Sequence, residues 1–341
     1  MRFKTVIVSV VVVTLAAIGL VFLHQGRSSL AAMHRLIVAH HGGDALALNA
    51  TRENDATAKA VNAARTRIAA LGANWNAEVA AKTSDIYAAL QSAQTQIDVG
   101  THRTKNIHYG ADPAQTLDLF IPAGDFSELT TVLVYLHGDA LAPSADNVGE
   151  WIARIGGIGV IARYRSGAEL RWPAGAEDVR LLLQWVHANI EQHGGDPRLI
   201  VLMGNSTGAT HIAEYLFDER QQLSDGLGIS AAILSSGIFD ASFGEDLNHY
   251  FEDAASATPL ALIGHYSGDQ VPLMLWSAQY DPPAVQAGMA ELFAKLCRKH
   301  GECPVYEQLA GANHVSPVLS IGSVDTAASG ALIRFYHAAV N

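Results

Sequence analysis

The feature that most limits what this chain can become is a series of short, almost wholly apolar runs after residue 100, separated by helical patterns. TVLVYLHGD (131–139), GVIARYRS (159–166), LIVLM (199–203), ISAAILSS (229–236) and VPLMLWSAQ (271–279) have this texture, while QTLDLFIP (115–122) alternates and ends in Pro. VYEQLAG (305–311) forms a last strand-like run. Strands that are apolar on both faces need cover on both faces, which helices laid over a mostly parallel sheet provide. Between the runs, EDVRLLLQWVHANI carries Val179, Leu182, Leu183, Val186 and Ile190 on one helical face, and a closing helix is expected around Ala327 to Ala339. The expected class is therefore α/β, with the ligand site on loops at the carboxyl ends of the strands.

Composition narrows the function. With 49% hydrophobic and 16% charged residues the chain can bury a sizeable core. A net charge of −11 and a pI near 5.7 exclude a surface built to track phosphates, so no nucleic-acid partner is expected. At the N-terminus, Arg2 and Lys4 precede a run from Thr5 to Leu23 without charge, Pro or Asn. That run approaches the roughly 20 residues a membrane helix needs, so residues 1–27 are expected to be a transmembrane anchor, or a signal sequence cut near Ser29-Leu30-Ala31. The basic flank would send the rest of the chain across the membrane. The body would then be membrane-anchored outside the cytoplasm, periplasmic or extracellular, or secreted after cleavage. Residues 28–98 are Ala-rich and polar, and Trp75, Val79, Ile86, Tyr87 and Leu90 recur at helical steps, as in a helical stalk or cap. Residues 99–341 form the α/β domain. Cys297 and Cys303 are compatible with a small disulfide loop or with two free thiols.

The chemistry centres on RLIVLMGNSTGATHIAEYLF, residues 198–217. An apolar strand runs into Gly204-Asn205-Ser206-Thr207-Gly208 and a helix follows at once. A serine on so sharp a turn is held in a cramped conformation, and glycines two positions before and after let the flanking chains pass. The turn lifts the hydroxyl above the sheet, and the helix aims backbone N–H groups, that of Thr207 among them, at the same spot. Serine needs a histidine to take its proton and a carboxylate to orient that histidine. Asp281 follows the strong strand VPLMLWSAQ, and Pro282 and Pro283 turn the chain off the sheet. Asp240 in GIFDAS is the other candidate acid; Asp269 precedes the strand and so lies at its wrong end. Of the histidines after Asp281, His314 in EQLAGANHVSP follows a short strand and a Gly-containing loop, whereas His300 lies in the cysteine loop and His337 inside the closing helix. A second oxyanion donor is expected from the N–H groups of Gly138 and Asp139 after the YLHG strand. His137 reads as a structural residue of that turn.

In order, TSDIYAAL, IHYGADPAQTLDLFIP, YLHGD, WPAGAEDVRLLLQWVHANI, HGGDPRLIVLMGNSTGATHIA, SAQYDPP and LAGANH resemble segments of the α/β-hydrolase superfamily, in its carboxylesterase and lipase branch. The resemblance spans residues 83 to 341. It implies an α/β-hydrolase fold, and ester hydrolysis through an acyl-enzyme with Ser206 as nucleophile, Asp281 as acid and His314 as base. Gly138, Asp139 and Thr207 would hold the oxyanion, a small-molecule ester would be the substrate, and no cofactor or metal would be needed. Two departures stand out. Many relatives carry HGGG where this chain has His137-Gly138-Asp139-Ala140, and Asn205 precedes the serine where relatives often have His or Asp, a change expected to bear on pocket polarity. The residues are also compatible with a peptidase or amidase using the same triad, with a non-catalytic binding protein on a hydrolase fold, or with a helical stalk that is itself the interaction module.

Overall fold

In the computed structural model the described residues are 44–92, 100–124, 128–138, 145–167, 170–240, 249–252, 255–264, 266 and 270–340. The expected membrane span lies outside them. Among the described residues no helix is long and apolar enough to cross a membrane. The chain divides into two units, Met1–Glu53 and Asn54–Asn341. Of the first, residues 44–53 are described and are helical. All contacts below lie within the second.

Helices α1 (Asp44–Leu71) and α2 (Ala77–Ser92) precede strands β1 (Thr101–His108), β2 (Thr116–Pro122) and β3 (Thr130–Leu136). Then follow α3 (Asp146–Arg154), β4 (Ile158–Arg163), α4 (Ala174–Asn189), β5 (Gly195–Asn205), α5 (Thr207–Phe217) and β6 (Ala231–Ser235). The chain ends with α6 (Pro259–Leu262), β7 (Leu273–Tyr280), α7 (Pro283–His300), β8 (Val305–Asn313), α8 (Ser316–Ser320) and α9 (Ala327–Val340). The eight strands form one sheet in the order β1-β2-β4-β3-β5-β6-β7-β8. β2 runs antiparallel to both β1 and β4, and every other pairing is parallel. The mostly parallel sheet expected from the apolar runs is present.

Alternation along each strand sorts side chains to two faces. Val132, Val134, Leu136, Val160, Leu202 and Leu234 point to one face, where they meet Leu182 and Val186 of α4, Ile212 of α5 and Met289 of α7. Leu133, Tyr135, Ile161, Met203, Ile233 and Trp276 point to the other, against Ile68 of α1, Ile86 of α2, Trp151 of α3 and Phe335 of α9. Each fully buried aliphatic side chain contributes about 1.5–3 kcal/mol, so both helical layers are held by the same force. The stretch expected as a stalk or cap thus contains, from Asn54 on, two helices whose apolar stripes close one face of the sheet. Trp75 lies in the turn between them rather than on the helix.

β1 carries no apolar run, since THRTKNIH forms an edge strand with a largely exposed pattern. It is tied instead by charge. Buried Asp118 on β2 accepts from Arg103 of β1 at 2.8 Å, from the Asn106 N–H at 2.9 Å and from Arg163 of β4 at 2.8 Å. Burial works to raise its pKa, and these donors outweigh burial and hold it below the ordinary carboxylate value. Cys297 and Cys303 form a disulfide across the turn between α7 and β8, which decides between the two readings of that pair.

If α1 is integral to the body, Ile68→Ala removes a fully buried side chain and should cost about 2–5 kcal/mol. Urea unfolding should show a lower midpoint with one transition. A midpoint unchanged from wild type would mean that α1 does not contribute to the cooperative core.

Candidate active site

Where β5 meets α5 the chain turns within one residue. Ser206 has φ 54° and ψ −124°, a left-handed conformation that L-residues rarely adopt. Its N–H donates to the Ser235 carbonyl at 2.9 Å, which fixes the turn to β6. A Cβ on Gly204 would lie 2.6 Å from the Gly208 carbonyl group, and one on Gly208 would lie 2.5 Å from the Leu136 oxygen. Glycine is required at both positions because backbone meets backbone there, as the sequence pattern predicted.

His314 directly follows β8, which runs on to Asn313 through Gly311, so the expected Gly-containing loop is the end of the strand. Its Nε2 lies 3.0 Å from Ser206 Oγ and its Nδ1 lies 2.8 Å from Asp281 Oδ1. Asp281 is fully buried just beyond β7. Its other oxygen accepts from Ser236 Oγ at 2.8 Å and from the Ala278 N–H at 2.7 Å. Both carboxylate oxygens are therefore engaged, and the imidazole is held by one nitrogen while the other faces the serine. Such an arrangement can move a proton from the hydroxyl to the ring and stabilise the resulting imidazolium.

The other candidates fall elsewhere. Asp240 lies beyond the end of β6, His300 ends α7, and His337 sits within α9 beside the Tyr336 ring. Asp269 and Asp139 lie outside the described residues. Gly138 is packed on the serine, since a Cβ there would come within 2.7 Å of Ser206 Cβ. Tyr164, just after β4, donates its hydroxyl to the His137 carbonyl at 2.7 Å and bonds Thr207 Oγ1 at 3.0 Å. One buried phenol thus ties the chain entering Gly138 to the first residue of α5. His137 stacks on that phenol ring and bonds the Gly138 carbonyl through Nδ1, in keeping with its expected structural role. Among the described residues no group of three or more His, Cys, Asp or Glu is arranged to hold a metal ion.

Several participants carried no signal in the sequence. Ser236, the second residue bound to Asp281, sits in a run of two serines. Asn205, which precedes the serine, is fully buried: its Nδ2 reaches Ser235 Oγ at 3.2 Å and the His314 carbonyl at 3.3 Å, linking three strand ends. Asn313 donates to Thr83 of α2 at 2.8 Å. Gln91 donates to the Leu319 carbonyl at 2.9 Å, and Arg65 pairs with Asp325 at 2.8 Å. Beside that pair, burial and then the Asp325 carboxylate push the Tyr87 phenol up to about 12, so it stays neutral. The chain on both sides of His314 is thus fastened to α1 and α2.

The sheet order and the serine turn at the carboxyl edge of β5 are those of the α/β-hydrolase fold. Solved structures share the fold. Esterase B from Lactobacillus Rhamnosis aligns with a TM-score of 0.60 at 18% identity, covering 81% of this chain and 95% of that one. A thermostable esterase from Pseudomonas putida aligns at 0.59 and 16% identity, covering 82% and 97%. The chain belongs to the carboxylesterase family, whose family model matches residues 61–261, more than half its length. Curated relatives include an acetylcholinesterase of Myxine glutinosa, 36% identical over 125 residues, covering 33% of this chain and 36% of the relative. Esterase LipQ of Mycobacterium tuberculosis is 25% identical over 210 residues, covering 54% and 49%. The chain spans less than half the length of these relatives.

Ser236→Ala removes one donor to a buried carboxylate, which should cost about 1–3 kcal/mol in urea unfolding. No loss would mean that the Ala278 N–H suffices. Gly208→Ala forces a methyl against the Leu136 carbonyl and should cost about 1–3 kcal/mol; a variant as stable as wild type would show that the two backbones can part.

Proposed function

We propose that this protein is a serine hydrolase that cleaves carboxylic esters through an acyl-enzyme. The single observation that carries the reading is the continuous hydrogen-bonded line from Ser206 through His314 to buried Asp281. Ser206, losing its proton to His314 Nε2, attacks the ester carbonyl carbon. The carbonyl π electrons move onto oxygen, which rests on backbone N–H groups of Thr207 and of Gly138 or Asp139. On collapse, the imidazolium returns the proton to the departing alkoxide oxygen. Water then attacks the acyl-enzyme with the same base, releasing the acid and restoring Ser206. Asp281 keeps the Nδ1 proton in place throughout. Membership of the carboxylesterase family supports esters over amides as substrates.

We also propose that residues 1–27 anchor the chain in a membrane, with the hydrolase outside the cytoplasm, or direct its secretion if cleaved. The support is the uncharged run from Thr5 to Leu23 behind Arg2 and Lys4. Membrane fractionation with N-terminal sequencing checks this; a soluble cytoplasmic protein that keeps Met1 would refute it.

Ser206→Ala should lower hydrolysis of p-nitrophenyl butyrate by several powers of ten, about 10³ or more. A fluorophosphonate should label Ser206 of the wild type, as mapped by mass spectrometry. The matched anilide should be cleaved far more slowly than the ester. An unchanged rate in the variant, or labelling at another residue, would sink the assignment.

A further inference from the structure

Trp75 joins α1 to α2, and its half-buried indole lies against the histidine of the site. The two ring centroids are 4.8 Å apart, with planes inclined at 58°. His314 is only 2% exposed, so the indole belongs to the cover over the imidazole. Their separation is not left to a loose contact. Thr83 to Asn313, Gln91 to the Leu319 carbonyl and Arg65 to Asp325 fasten both helices to the chain before and after His314.

Proton bookkeeping then fixes which part of an ester this ring would meet. The proton taken from Ser206 Oγ is delivered by the same Nε2 to the departing alkoxide oxygen. The alcohol portion must therefore leave beside the imidazole. The carbonyl oxygen, by contrast, would rest on the oxyanion donors of the proposed mechanism, Gly138, which packs on Ser206, among them. A ring packed on His314 thus borders the alcohol portion.

We propose that Trp75 is a specificity-determining residue for the alcohol portion of the substrate, an aromatic wall that favours flat, apolar alcohols such as benzyl over ethyl. The inference rests on the ester-hydrolase reading above. Aromatic side chains gain from offset or edge contacts with a second ring beyond simple burial, and pocket contacts of this size alter selectivity by about tenfold.

The test compares benzyl with ethyl butyrate, where only the alcohol differs, and ethyl acetate with ethyl hexanoate, where only the acyl group differs. Wild type, Trp75→Ala, Trp75→Phe and Trp75→Leu are assayed, and kcat/KM is taken as ratios so that partial loss of folded enzyme cancels. Trp75→Ala should lower the benzyl-to-ethyl ratio about tenfold, with the acyl ratio unchanged within about twofold. Trp75→Phe should keep most of the benzyl preference, while Trp75→Leu, which keeps bulk without a ring, should lose it. The leucine variant carries the test if the alanine variant does not fold. An unchanged alcohol ratio in an active Trp75→Leu or Trp75→Ala enzyme, or a change confined to the acyl ratio, overturns the inference. A wild type that cleaves none of these esters sinks the hydrolase reading first, and this inference with it.

Discussion

Everything at the site hangs on how closely α5 is allowed to approach the sheet. At Gly204 and Gly208 the backbones of β5, α5 and β3 meet with no room for a methyl group. That approach places Ser206 in a left-handed conformation, a strain of the order of 1–3 kcal/mol. The strain is sustained because β5 sits at the centre of the sheet, flanked by β3 and β6, with Ser206 itself bonded to β6. A larger residue at either glycine would push the helix outward and release the serine into ordinary geometry. The hydroxyl would then lose its place opposite the imidazole.

Around that contact, four strand ends contribute one element each. β5 brings the serine, β7 the carboxylate, β8 the histidine, and β3 the glycine packed on the serine. Their relative positions are maintained by side chains that touch no reacting atom: Asn205 binds the ends of β6 and β8 to the turn, Ser236 secures Asp281, and Tyr164 joins the β3 end to α5. Each is a buried polar group whose hydrogen bonds join separate elements of the fold. Such a network gives positional precision that apolar packing alone would not.

What could be read in the sequence followed from how many jobs each residue does. Leu133, Val160 and Ile233 lie on strands covered on both sides, so their apolar runs were plain. Ser206 stood out because its turn demands glycines at fixed spacing, and Asp281 and His314 because a serine needs partners in chain order. β1 was not legible, as an edge strand paired by Asp118 and two arginines needs no apolar face. Ser236, Thr83 and Asn313 were not legible either: their roles arise from contacts between remote segments, and a lone serine, threonine or asparagine has no local signature for that. Trp75 was seen as part of an apolar stripe, which is true of the helices around it, but nothing nearby in the chain points to His314.

The bonds from Thr83 to Asn313, Gln91 to Leu319 and Arg65 to Asp325 join positions 230, 228 and 260 residues apart. Contacts so distant in sequence form late, because loop closure must be achieved before they contribute. On a ribosome the segment carrying His314 emerges more than a hundred residues after Ser206. The histidine can settle only once the earliest and latest parts of the fold have met. The hydrogen-bonded line from Ser206 through His314 to Asp281 is therefore complete only when the tertiary structure is.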